Sequence, residues 1–454
     1  MKPREYDIRY ERSAVLLLSL GFGLVGLDRW IISPMFPAMM EDLGLDYQDL
    51  GNIVGALGLA WGCASLLIGG ISDRLGRRRI LVGSLVLFSV CSLLTGFATG
   101  LISLILIRVV MGITEGAFSP TAVTATAEAS RPHRRGLNMG AQQSTFALFG
   151  IGLGPIIATQ LLLVLPSWHW VFGLMLLPGL VLAYFLLRTI REPRQLPAFE
   201  SAVPTARSAV ATPGESPEPS SPEPSSPEPS SSEPSLTEPS RRVRFLDVLR
   251  YRNIRLAILA LCGAMTCIFV LSAMMPSYLV DHQGLGTSQM GVIASGIGFG
   301  AFAGQLAIPG LSDRFGRKPV AVVALVMAMC MLIAFMLQGP VVPVLFLLLF
   351  FVAFGANGCL ALLAGTVTVE SVPAGLMAAA AGTVMGVSEM FGGGVAPSLA
   401  GFLAQNYGIQ YVLYLALGGL LLCVVATSLL RETAPTRADS PPTGEVGTTR
   451  RAEV

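Results

Sequence analysis

Long apolar runs broken by short polar gaps make up most of this chain. Twelve runs are long enough to cross a bilayer, because a helix spanning the ~30 Å hydrocarbon core needs about 20 mostly apolar residues. They lie at roughly 13–36, 49–70, 80–99, 101–128, 138–163, 168–188, 254–280, 288–311, 319–338, 341–370, 377–404 and 409–430. Six precede and six follow a central segment of different composition. There, between about 195 and 240, Ser-Pro-Glu-Pro-Ser recurs with almost no large apolar residue. Such a segment cannot build a core and is expected to be disordered, a solvated tether between two bundles. The expected fold is an all-α polytopic membrane protein of twelve transmembrane helices. A six-helix bundle over 1–188 is followed by a linker over 189–253, a second six-helix bundle over 254–431 and a disordered tail over 432–454.

The two halves repeat each other. Ser72-Asp73-Arg74-Leu75-Gly76-Arg77-Arg78, in the gap after run two, returns as Ser312-Asp313-Arg314-Phe315-Gly316-Arg317-Lys318 in the gap after run eight, 240 positions later. Glu128 is followed by Pro132 and Glu370 by Pro373, each at the end of a long run. Gly154-Pro155 in run five corresponds to Ala396-Pro397 in run eleven. Internal repeats of this kind are typical of secondary transporters, whose solute path lies between the repeats near the bilayer midplane. Small residues recur in runs two, four, five, eight and eleven, where they let helices approach and slide. Gly392, Gly393 and Gly394 with Pro397 are expected to weaken run eleven locally.

Composition sharpens this picture. Of 454 residues, 53% are hydrophobic and 13% charged, against about 25% charged in soluble proteins. Twenty-eight of the 30 Lys and Arg residues lie in the termini, the even-numbered gaps or the helix ends beside them. By the positive-inside rule both termini are expected on the cytoplasmic side of the plasma (inner) membrane. The first run is too long for a signal peptide and is expected to be retained. All seven cysteines lie inside apolar runs and read as packing residues. His133, His169 and His282 lie in or beside loops without metal-ligand spacing, and no phosphate-binding loop is present. Neither cofactor nor enzymatic activity is expected, and no nucleic-acid partner. The expected partners are the lipid bilayer, a small-molecule substrate and protons, with the chain acting as a monomer.

Arg29 and Arg108 are the two cations left inside the runs, and both have acids nearby: Asp28 in run one, Glu115 two turns from Arg108 in run four. Each such charge costs about 2.5–3.5 kcal/mol at a helix centre, so they must face one another or a wet cavity. At ~1.5 Å per residue, Asp28, Arg29 and Arg108 come to similar depth in the outer half of the membrane. A guanidinium grips a carboxylate with two parallel hydrogen bonds, and a carboxylate in a poorly hydrated cavity can take up a proton. The expected site is therefore a proton-coupled organic-anion site. Arg29 or Arg108 holds the substrate, and Asp28 and Glu115 carry protons. Gln142, Asn357 and Glu389 are further candidates for the cavity wall. Asp28 and Arg29 point about 100° apart on a helix, so only one of them can face the cavity squarely. The site also requires Arg108 and Glu115 to reach that cavity rather than lipid or dry protein interior.

Gly70-Ile71-Ser72-Asp73-Arg74-Leu75-Gly76-Arg77-Arg78 resembles the signature loop of the major facilitator superfamily, and the second copy sits where that family keeps its weaker one. The resemblance covers nearly the whole chain outside the central segment and tail. It implies two pseudo-symmetric six-helix bundles that expose the substrate alternately to each side. It also implies a gate built on the paired loops. Asp73 would dock near the start of span eleven and Asp313 near the start of span five. Arg74, with Arg77 beside it, and Glu128 would form a network in the first half, and Arg314 and Glu370 are their counterparts in the second. Gly76 and Gly316 would permit the tight turns. More narrowly, Leu27-Asp28-Arg29, the stretch from Arg108 to Glu115, and Met275-Pro276-Ser277-Tyr278-Leu279 are similar to the anion:cation symporter branch. The Asp-Arg pair and Ser119-Pro120-Thr121 are also similar to Spinster-type lysolipid transporters. Gly150 to Ala158 partly matches a drug:proton antiporter motif. Uptake of a small carboxylate or sugar acid with protons is the first reading. A proton-driven exporter or flippase of drugs or lysolipids is the alternative.

Overall fold

A computed structural model describes residues 8–131, 134–191, 248–373 and 376–433, with the side chains of 69–74 and 378 set aside. Most of the central segment and the tail from 434 onward lie outside the described residues. Eleven helices among the described residues are long and apolar enough to cross a membrane. They are α1 (Ile8–Leu43), α2 (Tyr47–Leu75), α3 (Arg77–Thr95), α4 (Leu101–Ala129), α5 (Arg135–Val164), α6 (Trp168–Thr189), α7 (Arg252–His282), α8 (Thr287–Phe315), α9 (Arg317–Leu337), α10 (Val342–Glu370) and α12 (Tyr411–Ser428). Between α10 and α12, Met377–Ser388, Glu389–Val395 and Ala396–Tyr407 continue one another as a twelfth rod, α11. No strand occurs among the described residues.

The two halves use matching helix partners. In the first, α2 packs on α4, α3 on α4 and α6, and α1 on α6. In the second, α8 packs on α10, α9 on α10 and α12, and α7 on α12. The fold is thus two related six-helix bundles. They meet along two seams, α2 against α11 and α5 against α8. At both seams backbone meets backbone. A methyl group added at Gly58 would stand 2.0 Å from the Gly393 carbonyl oxygen, and one at Gly298 1.8 Å from the Gly152 amide nitrogen. Without a hydrophobic drive between helices in lipid, such close approach is the main source of helix association.

Both seams also carry the same irregularity. Phe146–Leu153 in α5 and Glu389–Val395 in α11 are wound as wide π turns, ahead of Pro155 and Pro397 respectively. Proline offers no N–H to the carbonyl four residues earlier, and its ring pushes that carbonyl away. Widening the turn absorbs the mismatch. The expected weak point in run eleven is therefore an ordered π segment, and run five has its twin. In α1, Pro34 similarly deprives Trp30 of its helical partner. The helix is interrupted at Ile31 and resumes to Leu43, beyond the end expected at 36.

The end away from the basic loops is closed across the halves. Tyr47 donates its hydroxyl to Asp281 at 2.8 Å and its backbone N–H to Gln405 at 3.3 Å. Gln48 donates to the Ser398 carbonyl at 3.2 Å, and Ser398 to the Gly51 carbonyl at 3.3 Å. The distal piece of α1 packs on α7 beside them.

Candidate functional site

The adjacent residues Asp28 and Arg29 part company, as their ~100° offset requires. Arg29 turns to the seam between the halves. Its Nη2 donates to Glu389 Oε1 of α11 at 2.6 Å, with both side chains nearly enclosed. The guanidinium carbon lies 4.7 Å from the ring centre of Trp61 in α2, 4.8 Å from Phe269 in α7 and 5.5 Å from Trp30. Trp30 and Phe269 stand 5.4 Å apart, and Phe146 meets Trp61 edge-on at 6.0 Å. The negative faces of these rings favour a cation, so Arg29 sits in an aromatic cage closed by one carboxylate. Gly393 makes this possible. A methyl there would come within 2.7 Å of Glu389 Oε1 and of Phe269, and 3.1 Å of Arg29 Nη2.

Asp28 turns the other way, into the first bundle. Ser92 of α3 donates to Asp28 Oδ1 at 3.0 Å. Arg108 Nη1 donates to the Asp28 backbone carbonyl at 3.1 Å and approaches Met111 Sδ at 3.4 Å. Asp28 and Glu115 are 0% exposed and Arg108 1%. Glu115 lies within electrostatic reach of Asp28, Arg29 and Arg108. Asp28 Oδ2, Arg108 Nε and Nη2, and both Glu115 carboxylate oxygens have no hydrogen-bond partner among the described residues. A buried charge without partners costs several kcal/mol, so this cluster is chemically unsaturated.

The structure therefore splits the expected four-charge site in two. Neither Arg108 nor Glu115 faces lipid. Both are sealed inside the first bundle in this conformation, while Arg29 alone of the two arginines reaches the seam. Glycine explains the seal: Gly112 and Gly116 bring α4 hard against the backbone of α2 at Leu57 and Trp61. Gln142 is fully buried, one helical turn from Phe146, and its side-chain amide has no hydrogen-bond partner among the described residues. Asn357 donates to Ala353 of its own helix at 3.3 Å. Among the described residues neither hydrogen-bonds Arg29 or Glu389. The cage residues Trp61, Trp30 and Phe269 carry no sequence signature. The available signal was that Trp30 and Trp61 lie within apolar runs, unlike Trp168 and Trp170 at a helix end.

At the basic end, Gly76 and Gly316 take φ of 91° and 98°, a region that disfavours side chains. Arg77 pairs with Glu128. In the second half Arg317, the repeat partner of Arg77, pairs with Asp313 and, at 3.0 Å, with Glu370. The side chains of Asp73 and Arg74 lie outside the described residues. Among the described residues, Asp313 makes no hydrogen bond or ion pair to the start of span five. Its carboxylate pairs with Arg317 one turn along and is 69% exposed. Glu432 also tightens this corner, accepting the Arg317 and Lys318 backbone N–H groups at 2.9 and 3.1 Å. Arg314 lies exposed over the Phe315 ring, 5.6 Å from its centre.

Two repeated six-helix bundles with buried charges at and beside their seam define a multi-pass membrane transporter. The sequence matches the Major Facilitator Superfamily over residues 18–394 and again over 288–452, and the chain belongs to that superfamily. It is 26% identical over 399 residues to a probable 4-methylmuconolactone transporter of Cupriavidus pinatubonensis, covering 86% of this chain and 83% of that one. It is 26% identical over 279 residues to the hexuronate transporter of Bacillus subtilis, covering 62% and 59% of the two chains. Its fold is similar to that of a bacterial homologue of the human lysosomal transporter Spinster, solved inward-facing and unoccupied. That match has a TM-score of 0.70 and 17% identity, and covers 93% of this chain and 96% of the other.

Proposed function

We propose that the protein takes up a small organic anion, a carboxylate or sugar acid, together with protons by alternating access. The observation that carries this reading is the buried Arg29 guanidinium at the seam, held by an acid of the opposite half and backed by the unsaturated cluster of Asp28, Arg108 and Glu115. The names of two relatives, a hexuronate transporter and a probable 4-methylmuconolactone transporter, support an oxygen-rich organic cargo. In this reading Arg29 receives the cargo carboxylate from the seam, and Arg108, enclosed within the first bundle, holds the Asp28 backbone beside it. Asp28 and Glu115 take up and release the coupling protons. Glu389, Gln142 and Asn357 belong to the wall. The paired loops, with Asp73, Arg74, Gly76, Arg77 and Glu128 in one half and Asp313, Arg314, Gly316 and Glu370 in the other, set which side is open. The basic end is cytoplasmic, the membrane is the plasma (inner) membrane and the working unit is the monomer. A flippase would need an apolar lateral opening, whereas here both seams close backbone to backbone.

Purified protein in liposomes, given an inward proton gradient and radiolabelled carboxylates and sugar acids, should accumulate one class above equilibrium. A protonophore should abolish the accumulation. Glu115→Gln should lose gradient-driven accumulation while retaining exchange of labelled for unlabelled cargo. Normal accumulation by both Arg108→Ala and Glu115→Gln would remove those residues from the mechanism.

A further inference from the structure

The Arg29–Glu389 pair is incomplete in a way that suggests a competitor. Glu389 engages Nη2 of Arg29, while Arg29 Nε is buried without a hydrogen-bond partner among the described residues. A guanidinium presents paired donors that match both oxygens of one carboxylate. A second carboxylate arriving side-on could use Nε and a terminal nitrogen together and outbid the single contact from Glu389. The walls around it are the faces of Trp30, Trp61 and Phe269. The Trp30 indole N–H on that wall also lacks a partner among the described residues. One polar ring substituent is catered for there. A polyol is not, since three aromatic faces offer its hydroxyls no strong acceptor, and buried hydroxyls without partners are costly.

We infer that Glu389 competes with the cargo: the carboxylate of a flat aromatic or unsaturated acid replaces it on Arg29 inside the ring cage, and so cuts an ion pair that ties the two halves together. This deepens the organic-anion reading and rests on it. The pair spans α1 and α11, so the seam is held until cargo takes the guanidinium. Translocation then depends on occupancy, while the paired loops set which side is open. Gly393 keeps the pair in register, because a methyl there would press on Glu389, Phe269 and Arg29 at once.

The test is calorimetric titration of the detergent-purified full chain with benzoate and with glucuronate, in wild type, Glu389→Gln, Gly393→Ala and Arg29→Gln. Removing or displacing the competitor should tighten benzoate binding by about tenfold in Glu389→Gln, and in the same direction in Gly393→Ala. Arg29→Gln should bind neither acid, and wild type should prefer benzoate. Gly393→Ala keeps the test decisive if Glu389→Gln does not fold. Benzoate binding no tighter in either variant, or glucuronate bound as well as benzoate, overturns the inference while leaving the organic-anion reading standing. If no variant binds any carboxylate and liposomes take none up, the organic-anion reading falls, and the inference with it.

Discussion

The two halves of this transporter share their mechanics and differ in their chemistry. Each has a loop glycine at positive φ, an arginine after it, and a glutamate at the end of a long helix to receive that arginine: Arg77 with Glu128, Arg317 with Glu370. Each has a seam helix with a π segment ahead of a proline. Yet the first half buries Asp28, Arg29, Arg108 and Glu115, while the second contributes Glu389 as its deep charge. Duplication has preserved what bends and turns, and the charge-bearing interior has diverged. The second bundle then serves as the surface against which the first bundle's arginine is presented.

Breaking that asymmetry at its centre should have the largest effect. Arg29→Gln leaves Glu389 enclosed without its counter-charge, a change that costs about 3–5 kcal/mol for a buried pair. Uptake should be abolished and thermal unfolding should shift down by many degrees. Adding Glu389→Gln should restore most of the lost stability, because no orphaned charge remains, and should leave uptake absent. If the double variant transports, the guanidinium is structural and the first half holds no privileged binding group.

Much of this architecture is legible in the sequence. The apolar runs give the helices because a bilayer leaves the backbone no alternative to internal hydrogen bonds. The repeated loop located both halves, and cost alone marked Asp28, Arg29, Arg108, Glu115 and Glu389 as unusual. Direction was the illegible part. Helical spacing says that Asp28 and Arg29 diverge, but not which one faces the seam. That choice is made by Gly112 and Gly116, which pull α4 onto α2 and enclose Arg108, and by Gly393, which lets Glu389 reach Arg29. The cage was illegible for a related reason. Trp61 and Phe269 come from different halves and meet Arg29 only once both seams are assembled.

The symmetric features offer milder perturbations that should behave alike in the two halves. Gly58→Ala strikes the α2–α11 seam and Gly298→Ala the α5–α8 seam, each forcing a methyl into opposing backbone. Overpacking of this kind costs about 1–3 kcal/mol. Both variants should unfold at lower temperature and transport more slowly, since the seams can no longer close fully. Cysteine accessibility of the seam residues in membranes should rise in both. A loss confined to one variant would show that the seams are not mechanically equivalent.

The smallest effect belongs to the loop pairs. Glu128→Gln and Glu370→Gln each remove a partly exposed partner of Arg77 or Arg317. Pairs at such positions contribute about 0–1 kcal/mol, too little to unfold a bundle but enough to shift an equilibrium between two open states several-fold. Each substitution should leave thermal stability within experimental error and alter the labelling rate of a cysteine placed at the basic end of the seam. Glu370→Gln should act more weakly, because Arg317 keeps Asp313 and the start of α9 keeps its backbone contacts with Glu432. A stronger effect from Glu370 than from Glu128 would mean that the second loop, with the shorter basic run, controls the gate.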